Sequence, residues 1–180
     1  IRSVIDDRDL ITPDDVRGVF PTLDEAVRSG AWPTLHQAQG RVLFLMDNEG
    51  SLRNDYLDGN PSLEGRVMFT NAVPGQADAA FVKVNNPVDN EAYIQGLVAD
   101  GYVVRTRSDV PTVEARSGDA TRREAALASG AQWVSTDYPV PGMSEWSDYV
   151  DQVPDGDPAR CNPVNTGPRC RSGALERLHR

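Results

Sequence analysis

Five short apolar segments recur along the chain, and each has the length of a β-strand. They are rich in Val, Phe and Tyr, which favour strands, and they cover residues 42–46, 67–71, 80–84, 102–106 and 133–136. Because most of their positions are apolar rather than alternating with polar ones, the segments predict a parallel sheet that is buried on both faces.

Helical signals lie between and before these strands. They predict helices over residues 90–100 and 120–129, the second capped by Asp119, and two earlier helices over residues 23–28 and 33–39. Strand and helix therefore alternate along the chain, which predicts an α/β fold that is either doubly wound or closed into a barrel.

The residues at the strand ends favour the barrel. No glycine-rich phosphate loop of a doubly wound nucleotide-binding sheet occurs in the sequence. Polar residues instead follow almost every predicted strand, as they do at the catalytic rim of a (β/α)8 TIM-like barrel. We therefore expect residues 1–150 to form the C-terminal five strands of such a barrel, followed by an irregular tail over residues 151–180.

Five strands of an eight-stranded barrel leave two open edges, at residues 42–46 and 133–136. Unpaired backbone groups at such edges favour pairing with another chain. We therefore expect marginal stability together with self-association, or a partner chain that supplies the missing strands.

Charge argues against a nucleic-acid partner, and hydropathy argues against a transmembrane segment. The formal net charge of the 180 residues is -9, whereas nucleic-acid binding requires clustered cations. The longest apolar run is strand-sized, so no transmembrane segment is predicted. Of the 18 cationic residues, 17 are Arg and only Lys83 is Lys, a bias that indicates GC-rich coding and a bacterial source.

The two cysteines indicate the compartment. Cys161 and Cys170 lie close together in a tail that is rich in Pro, Gly and Asn. A disulfide between them, which would stabilise this tail, is favoured over two free thiols. A disulfide implies export from the cytoplasm, so the sequence predicts a secreted protein.

Several segments resemble one enzyme family. RVLFLMDNEG, YVVRTRSD, SGAQWVSTDYP, LITPDDVRG, WPTL and RCNPV are similar to segments of secreted bacterial calcium-dependent phosphoinositide phospholipases C. SGAQWVSTDYP also resembles the closing strand of glycerophosphodiester phosphodiesterases. The resemblance runs from about Leu10 to Cys170 and corresponds to the later two-thirds of the family's catalytic domain.

The resemblance implies a TIM-like barrel that cleaves the glycerol–phosphate bond of phosphatidylinositol. The inositol 2-hydroxyl attacks phosphorus, two histidines act as general base and acid, and calcium stabilises the developing charge. The histidines of this chain, His36 and His179, do not match the family's pair, so we expect the catalytic histidines in a missing N-terminal part. This chain alone is then expected to be inactive, because a positioned acid or base typically contributes about 10²- to 10⁴-fold to the rate.

The resemblance also implies one calcium ligand. Asp47 directly follows LFLM and matches the family's acidic residue at the end of a barrel strand, with Asn48 or Glu49 as a further oxygen donor. The alternative is that Asp47 only caps a turn. Asp137 is a candidate second carboxylate near the site or a turn-forming residue.

Cationic and aromatic residues at strand ends are candidates for binding the anionic substrate. Lys83 shares a strand face with Phe81, so it either points towards the phosphate or is solvated. Arg105 and Arg107 share another face, which Asp109 extends, so they either grip the phosphate or form an ion-paired layer. Tyr138 is either a stacking partner of the sugar ring or a core residue.

The sequence thus predicts a phosphoric diester hydrolase that cleaves phosphatidylinositol at a membrane surface with Ca²⁺ as cofactor. Two alternatives stay open. Glycerophosphodiester hydrolysis shares the barrel ending and the metal, and a secreted, non-catalytic binding domain requires neither.

Overall fold

The computed structural model describes residues 1–153 and 159–175. In these ranges the strands are β1 (Leu10–Ile11), β2 (Val42–Met46), β3 (Met68–Thr70), β4 (Phe81–Lys83), β5 (Val103–Arg107) and β6 (Trp133–Ser135). The helices are α1 (Pro13–Arg17), α2 (Leu23–Arg28), α3 (Leu35–Ala38), α4 (Ser51–Leu57), α5 (Glu91–Ala99), α6 (Val113–Ser117) and α7 (Thr121–Ala128), and 3₁₀ turns cover Asp7–Asp9 and Ser172–Ala174.

The five predicted strands and four predicted helices are confirmed, most of them to within one residue at each end. The helices α1, α4 and α6 and the two-residue strand β1 were not predicted, because such short elements do not repeat the apolar period on which the prediction relies. Local chemistry still specifies α1. The Thr12 hydroxyl accepts a hydrogen bond from the Asp15 N–H, and the Asp15 carboxylate accepts one from the Thr12 N–H.

The chain divides into two compact units, of which the first comprises residues 1–83 and 100–102. In this unit β2 lies between β1 and β3, and both pairings are parallel, with Leu10 opposite Val42 and Phe44 opposite Met68. The fully buried core includes Leu10, Leu23, Val27, Leu63 and Phe69.

The second unit comprises residues 84–99 and 103–180. Its strands β5 and β6 are parallel, with Arg107 opposite Ser135. Along β5, Val104 and Thr106 are fully buried whereas Arg105 and Arg107 are partly exposed, so the two arginines share the opposite face of the strand. Ile94 and Val98 of α5 are buried in the same unit.

The predicted disulfide is confirmed. Cys161 and Cys170 are joined in the second unit, and the described part of the chain contains no free cysteine. In the described part of the tail beyond residue 150, the 3₁₀ turn Ser172–Ala174 is the one regular element. None of the helices in residues 1–153 and 159–175 is long and apolar enough to cross a lipid bilayer.

The prediction of a (β/α)8 TIM-like barrel portion is wrong. The strands of the described residues lie in two three-stranded sheets, in the orders β1-β2-β3 and β4-β5-β6, and they form no closed barrel. Alternating strands and helices, with polar residues at the strand ends, occur in open parallel sheets as well as in barrels. Neither signal shows which strands pair, and pairing decides whether a sheet closes.

The expectation that residues 42–46 form an open edge is also wrong. β2 has neighbours on both sides, because β1 pairs with it in parallel. β1 has only two residues and was not predicted, so this neighbour of β2 was missing from the expected sheet.

Candidate functional site

A cluster of charged residues in the first unit is centred on the Lys83 ammonium. The Lys83 Nζ lies 2.9 Å from Asp47 Oδ1 and 3.3 Å from Glu49 Oε1. It also donates a 3.4 Å hydrogen bond to the Asp47 carbonyl oxygen. Three oxygens from the loop after β2 therefore surround one positive charge, and the structure brings together the predicted site residues Asp47 and Lys83.

Asn71 connects the parts of this cluster. Its side-chain carbonyl accepts a hydrogen bond from the Lys83 N–H at 2.9 Å, and its side-chain amide donates one to Glu49 Oε1 at 2.9 Å. Asn71 directly follows β3, and its own N–H donates to the Met46 carbonyl at the end of β2. The parallel register of β2 and β3 thus places the polar residues after both strands side by side.

The two partners of Lys83 are far more accessible than Lys83 itself. The side chains of Asp47 and Glu49 are 68% and 66% exposed, whereas that of Lys83 is 17% exposed. The hydrogen bond to Asp47 raises the pKa of Lys83 above its ordinary value, and the charges of Asp47 and Glu49 act in the same direction against partial burial. The ammonium is therefore held in its charged form.

Arg105 lies on the partly exposed face of β5 in the second unit. Its Nε donates to Ser135 Oγ at 2.6 Å, and its Nη1 donates to Asn85 Oδ1 at 3.0 Å. Both acceptors are neutral, and within residues 1–153 and 159–175 no carboxylate lies within ion-pair distance of Arg105. The guanidinium is thus oriented while its charge is not neutralised.

Arg107 has a different environment. Its Nη2 lies 3.5 Å from Asp137 Oδ2 and 4.0 Å from Asp109 Oδ1, so two carboxylates partly balance its charge. Its buried Nε has no hydrogen-bond partner among the described residues. Arg107 therefore retains one donor that is directed at no other group of the described chain.

Asp109 is fully buried, and its carboxylate is used within the protein. It accepts hydrogen bonds from the Thr136 and Ser108 hydroxyls and from the Asp137 N–H. Asp109 therefore binds the loop that follows β6, and its Oδ1 lies 4.0 Å from Arg107 Nη2.

Tyr138 packs in the core of the second unit. It is buried together with Ala115 and Tyr149, and its ring meets that of Tyr149 edge-on at 5.7 Å. Of the two histidines, His36 is exposed on α3 in the first unit, and His179 lies outside the described residues.

Sequence reasoning missed Ser135 and Asn85 as the groups that orient Arg105. Arg105 is separated from them by 30 and 20 positions. The signal that identifies Ser135 is the strand register, since Ser135 lies opposite Arg107 in the parallel pair. Strand register cannot be read from single segments.

A cavity of about 700 Å³ opens elsewhere in the second unit. Trp133, Asp151 and Arg160 are among its lining residues, and none of the predicted site residues is. One lining residue, Trp133, nevertheless lies opposite Arg105 in the parallel pair of β5 and β6.

Calcium is bound in proteins by six to eight oxygens, supplied by carboxylates, carbonyls and water. In the described part of the chain no group of three or more His, Cys, Asp and Glu residues could hold a metal ion. The oxygens of Asp47 and Glu49 nevertheless already converge on one positive group, the Lys83 ammonium. Three such oxygens, already paired with an ammonium, fall short of the six to eight that calcium takes, so Asp47 and Glu49 by themselves do not fit the ion.

The first unit thus carries a lysine that is paired with two carboxylates, and the second carries two arginines on one face of a strand. Arginine is a residue type that often binds phosphate groups in proteins. The chain belongs to the Ca²⁺-dependent phosphoinositide phospholipase C family, because the model of that family matches residues 1–163. This confirms the predicted family. Comparisons with curated proteins and with solved structures found no match.

Proposed function

We propose that this chain supplies cation-binding and phosphate-binding residues for calcium-dependent, phospholipase C-type cleavage of phosphatidylinositol. The family match over residues 1–163 supports the reaction class. The environment of Arg105 supports its assignment as the phosphate ligand. Neutral groups orient its guanidinium, and in the described ranges no carboxylate neutralises its charge.

An arginine in this state is suited to a phosphodiester. The Ser135 hydroxyl and the Asn85 amide oxygen hold the guanidinium without consuming its charge, so a phosphate oxygen gains the full electrostatic attraction. Arg107, whose side chain is partly exposed, is the second candidate ligand on the same strand face. The net charge of -9 makes such local cations necessary for an anionic headgroup.

Cleavage of the glycerol–phosphate bond increases negative charge on the phosphate oxygens in the transition state, and fixed cations lower its energy. Calcium, when bound, would supply positive charge to these oxygens, with Asp47 as one of its ligands. We assign no proton-transfer role to His36, because it is exposed on a four-residue helix. The chain is therefore proposed to bind the headgroup without turnover.

The disulfide between Cys161 and Cys170 supports a further proposal, that the protein acts outside the cytoplasm, because such bonds persist in oxidising compartments. The predominance of Arg over Lys supports a bacterial source.

The test is a calorimetric titration of the 180-residue chain with inositol 1-phosphate, which measures the binding affinity. Loss of a charged hydrogen bond lowers affinity about 10- to 100-fold, so Arg105→Gln should weaken binding by at least about tenfold. Arg8→Gln is the matched control, since Arg8 is an exposed surface arginine, and its affinity should equal that of the unchanged chain.

Two results would contradict the proposal. One is an Arg105→Gln variant that binds inositol 1-phosphate as tightly as the unchanged chain. The other is tighter binding of glycerol 3-phosphate than of inositol 1-phosphate, which would favour glycerophosphodiester hydrolysis instead.

A further inference from the structure

The orientation of Arg105 depends on a residue of an exposed loop. Arg105 Nη1 donates a 3.0 Å hydrogen bond to Asn85 Oδ1, and Asn85 follows β4 in the stretch that belongs to the second unit. Asn85 is itself exposed, and loop residues are more mobile than the strands they connect. On this side, the guanidinium is therefore oriented only as firmly as Asn85 is held.

Arg122 holds the main chain of Asn85. It is the second residue of α7, and its Nη1 donates a 2.9 Å hydrogen bond to the Asn85 carbonyl oxygen, 37 positions away. Two arginines of the second unit thus converge on one residue, Arg105 on the side-chain oxygen and Arg122 on the main-chain oxygen. Because the main chain of Asn85 is fixed, the direction of its side chain is restricted as well.

Arg122 differs from Arg105 in its charge balance. Arg122 Nε lies 3.1 Å from Glu114 Oε1, and the two side chains are only 17% and 10% exposed. Glu114 Oε2 accepts a 2.7 Å hydrogen bond from the Val110 N–H, so the carboxylate is oriented on both sides. The charge of Arg122 is therefore used within the protein, which suits a residue that holds a neighbour rather than one that grips a phosphate.

We propose that Arg122 is a positioning residue of the phosphate site: through Asn85, it holds the Arg105 guanidinium in the orientation that receives a phosphate oxygen. This inference rests on the proposed function in one respect, the assignment of Arg105 as the phosphate ligand. It deepens that assignment by naming the groups outside β5 on which the ligand depends.

The first test is calorimetric titration of the full chain with inositol 1-phosphate. Arg122→Met should weaken binding about three- to tenfold, because Arg105 loses one of its two orienting contacts and keeps the other. Asn85→Ala removes the same contact directly and should have a similar effect. Arg123→Met is the matched control, since Arg123 lies on the same helix and donates to another main-chain carbonyl, that of Val150. Its affinity should equal that of the unchanged chain.

A double variant separates positioning from direct attraction. In the Asn85→Ala background, Arg122→Met should cause no further loss of affinity, because the contact that it supports is already absent. A direct attraction between Arg122 and the phosphate would instead persist in that background and weaken binding again.

Loss of Arg122 leaves the Glu114 carboxylate buried without its partner, which can destabilise the fold. Arg122→Met combined with Glu114→Gln removes both charges together. This combination should fold and should bind inositol 1-phosphate as weakly as Arg122→Met.

The second test needs no ligand. The Nε–Hε NMR signal of Arg105, identified as the one absent from Arg105→Gln, reports the hydrogen bonds of the guanidinium. Arg122→Met and Asn85→Ala should both shift this signal and speed its exchange with water. Arg123→Met should leave it unmoved.

Three results would overturn the inference. They are an Arg122→Met variant that binds as tightly as the unchanged chain while Arg105→Gln binds more weakly, a further loss of affinity in the double variant with Asn85→Ala, and an Arg105 signal that Arg122→Met leaves unmoved. An Arg105→Gln variant that binds as tightly as the unchanged chain would instead contradict the proposed function. The Arg105 signal would still decide whether Arg122 orients this guanidinium.

Discussion

The buried carboxylate of Asp109 provides a test of whether this residue contacts substrate or holds the second unit together. Asp109 is fully buried and accepts hydrogen bonds from Thr136 Oγ1 at 2.5 Å, from Ser108 Oγ at 3.2 Å and from the Asp137 N–H at 3.2 Å. A carboxylate only accepts hydrogen bonds, so every one of these contacts suits it. We therefore expect Asp109→Asn to destabilise the protein.

The magnitude follows from the number of donors. Asparagine replaces one acceptor oxygen by an NH₂ group, which cannot accept the hydrogen bonds made to that oxygen, and the remaining carbonyl oxygen is a weaker acceptor than a charged carboxylate. Each hydrogen bond to a charged group contributes about 1.5–3 kcal/mol. Removal of the buried charge offsets part of the loss. We expect a net decrease of about 2–4 kcal/mol in the free energy of unfolding.

Urea unfolding, monitored by circular dichroism, measures this change. We expect Asp109→Asn to lower the urea midpoint and to leave the slope m unchanged. Thr136→Val removes a hydroxyl that donates to Asp109 and accepts from the Tyr138 N–H, so it should cost about 1.5–3 kcal/mol. Asp148→Asn is the matched control, because Asp148 is an exposed aspartate of the same unit, and it should have no measurable effect. An Asp109→Asn variant within about 0.5 kcal/mol of the unchanged chain would refute the reasoning.

Two further predictions concern tyrosine ionisation and the disulfide. Burial, reinforced by Asp24 for Tyr102 and by Asp109 for Tyr149, raises the pKa of each phenol from 10.0 to about 12. Because the folded state favours the neutral phenol, this stability is fully present below pH 10 and is lost as the pH rises towards 12. Urea unfolding between pH 9 and 11.5 should show the decrease, and Tyr102→Phe should reduce it; equal decreases in both proteins would contradict the assignment. Separately, the double replacement Cys161→Ser and Cys170→Ser should lower the free energy of unfolding by about 2.5–3 kcal/mol, as expected for the short loop that this bond closes. The unchanged chain in reducing agent should match this variant, and no difference between oxidised and reduced chains would refute the estimate.

The local elements were predictable because each leaves a pattern in a short window. The strand β2 and the helix α2 have the predicted bounds, since a continuous apolar run and a helical period are visible within five or six residues. The short elements β1 and α1 leave no such pattern. The predicted barrel was wrong for a different reason, because closure of a sheet depends on pairing between strands that are distant in sequence.

The candidate site shows the same division. Asp47 and Lys83 were identified as polar residues at strand ends, but their ion pair joins positions 36 apart. Asn71 links Lys83 to Glu49, but the sequence assigned it no specific role. Its position depends on the parallel register of β2 and β3. Arg105 and Arg107 share a strand face, as their spacing predicts, whereas the neutral partners of Arg105 come from elsewhere in the chain.

The order of residues was therefore sufficient for the α/β class, the enzyme family and the disulfide, because local periodicity, motif similarity and close cysteines are properties of short segments. Only the tertiary structure determined the pairing of strands into two three-stranded sheets, the burial of Asp109 and the position of the Lys83 ammonium between Asp47 and Glu49. These features arise from contacts between distant segments, and their energies depend on which groups the register brings within a few ångströms of each other.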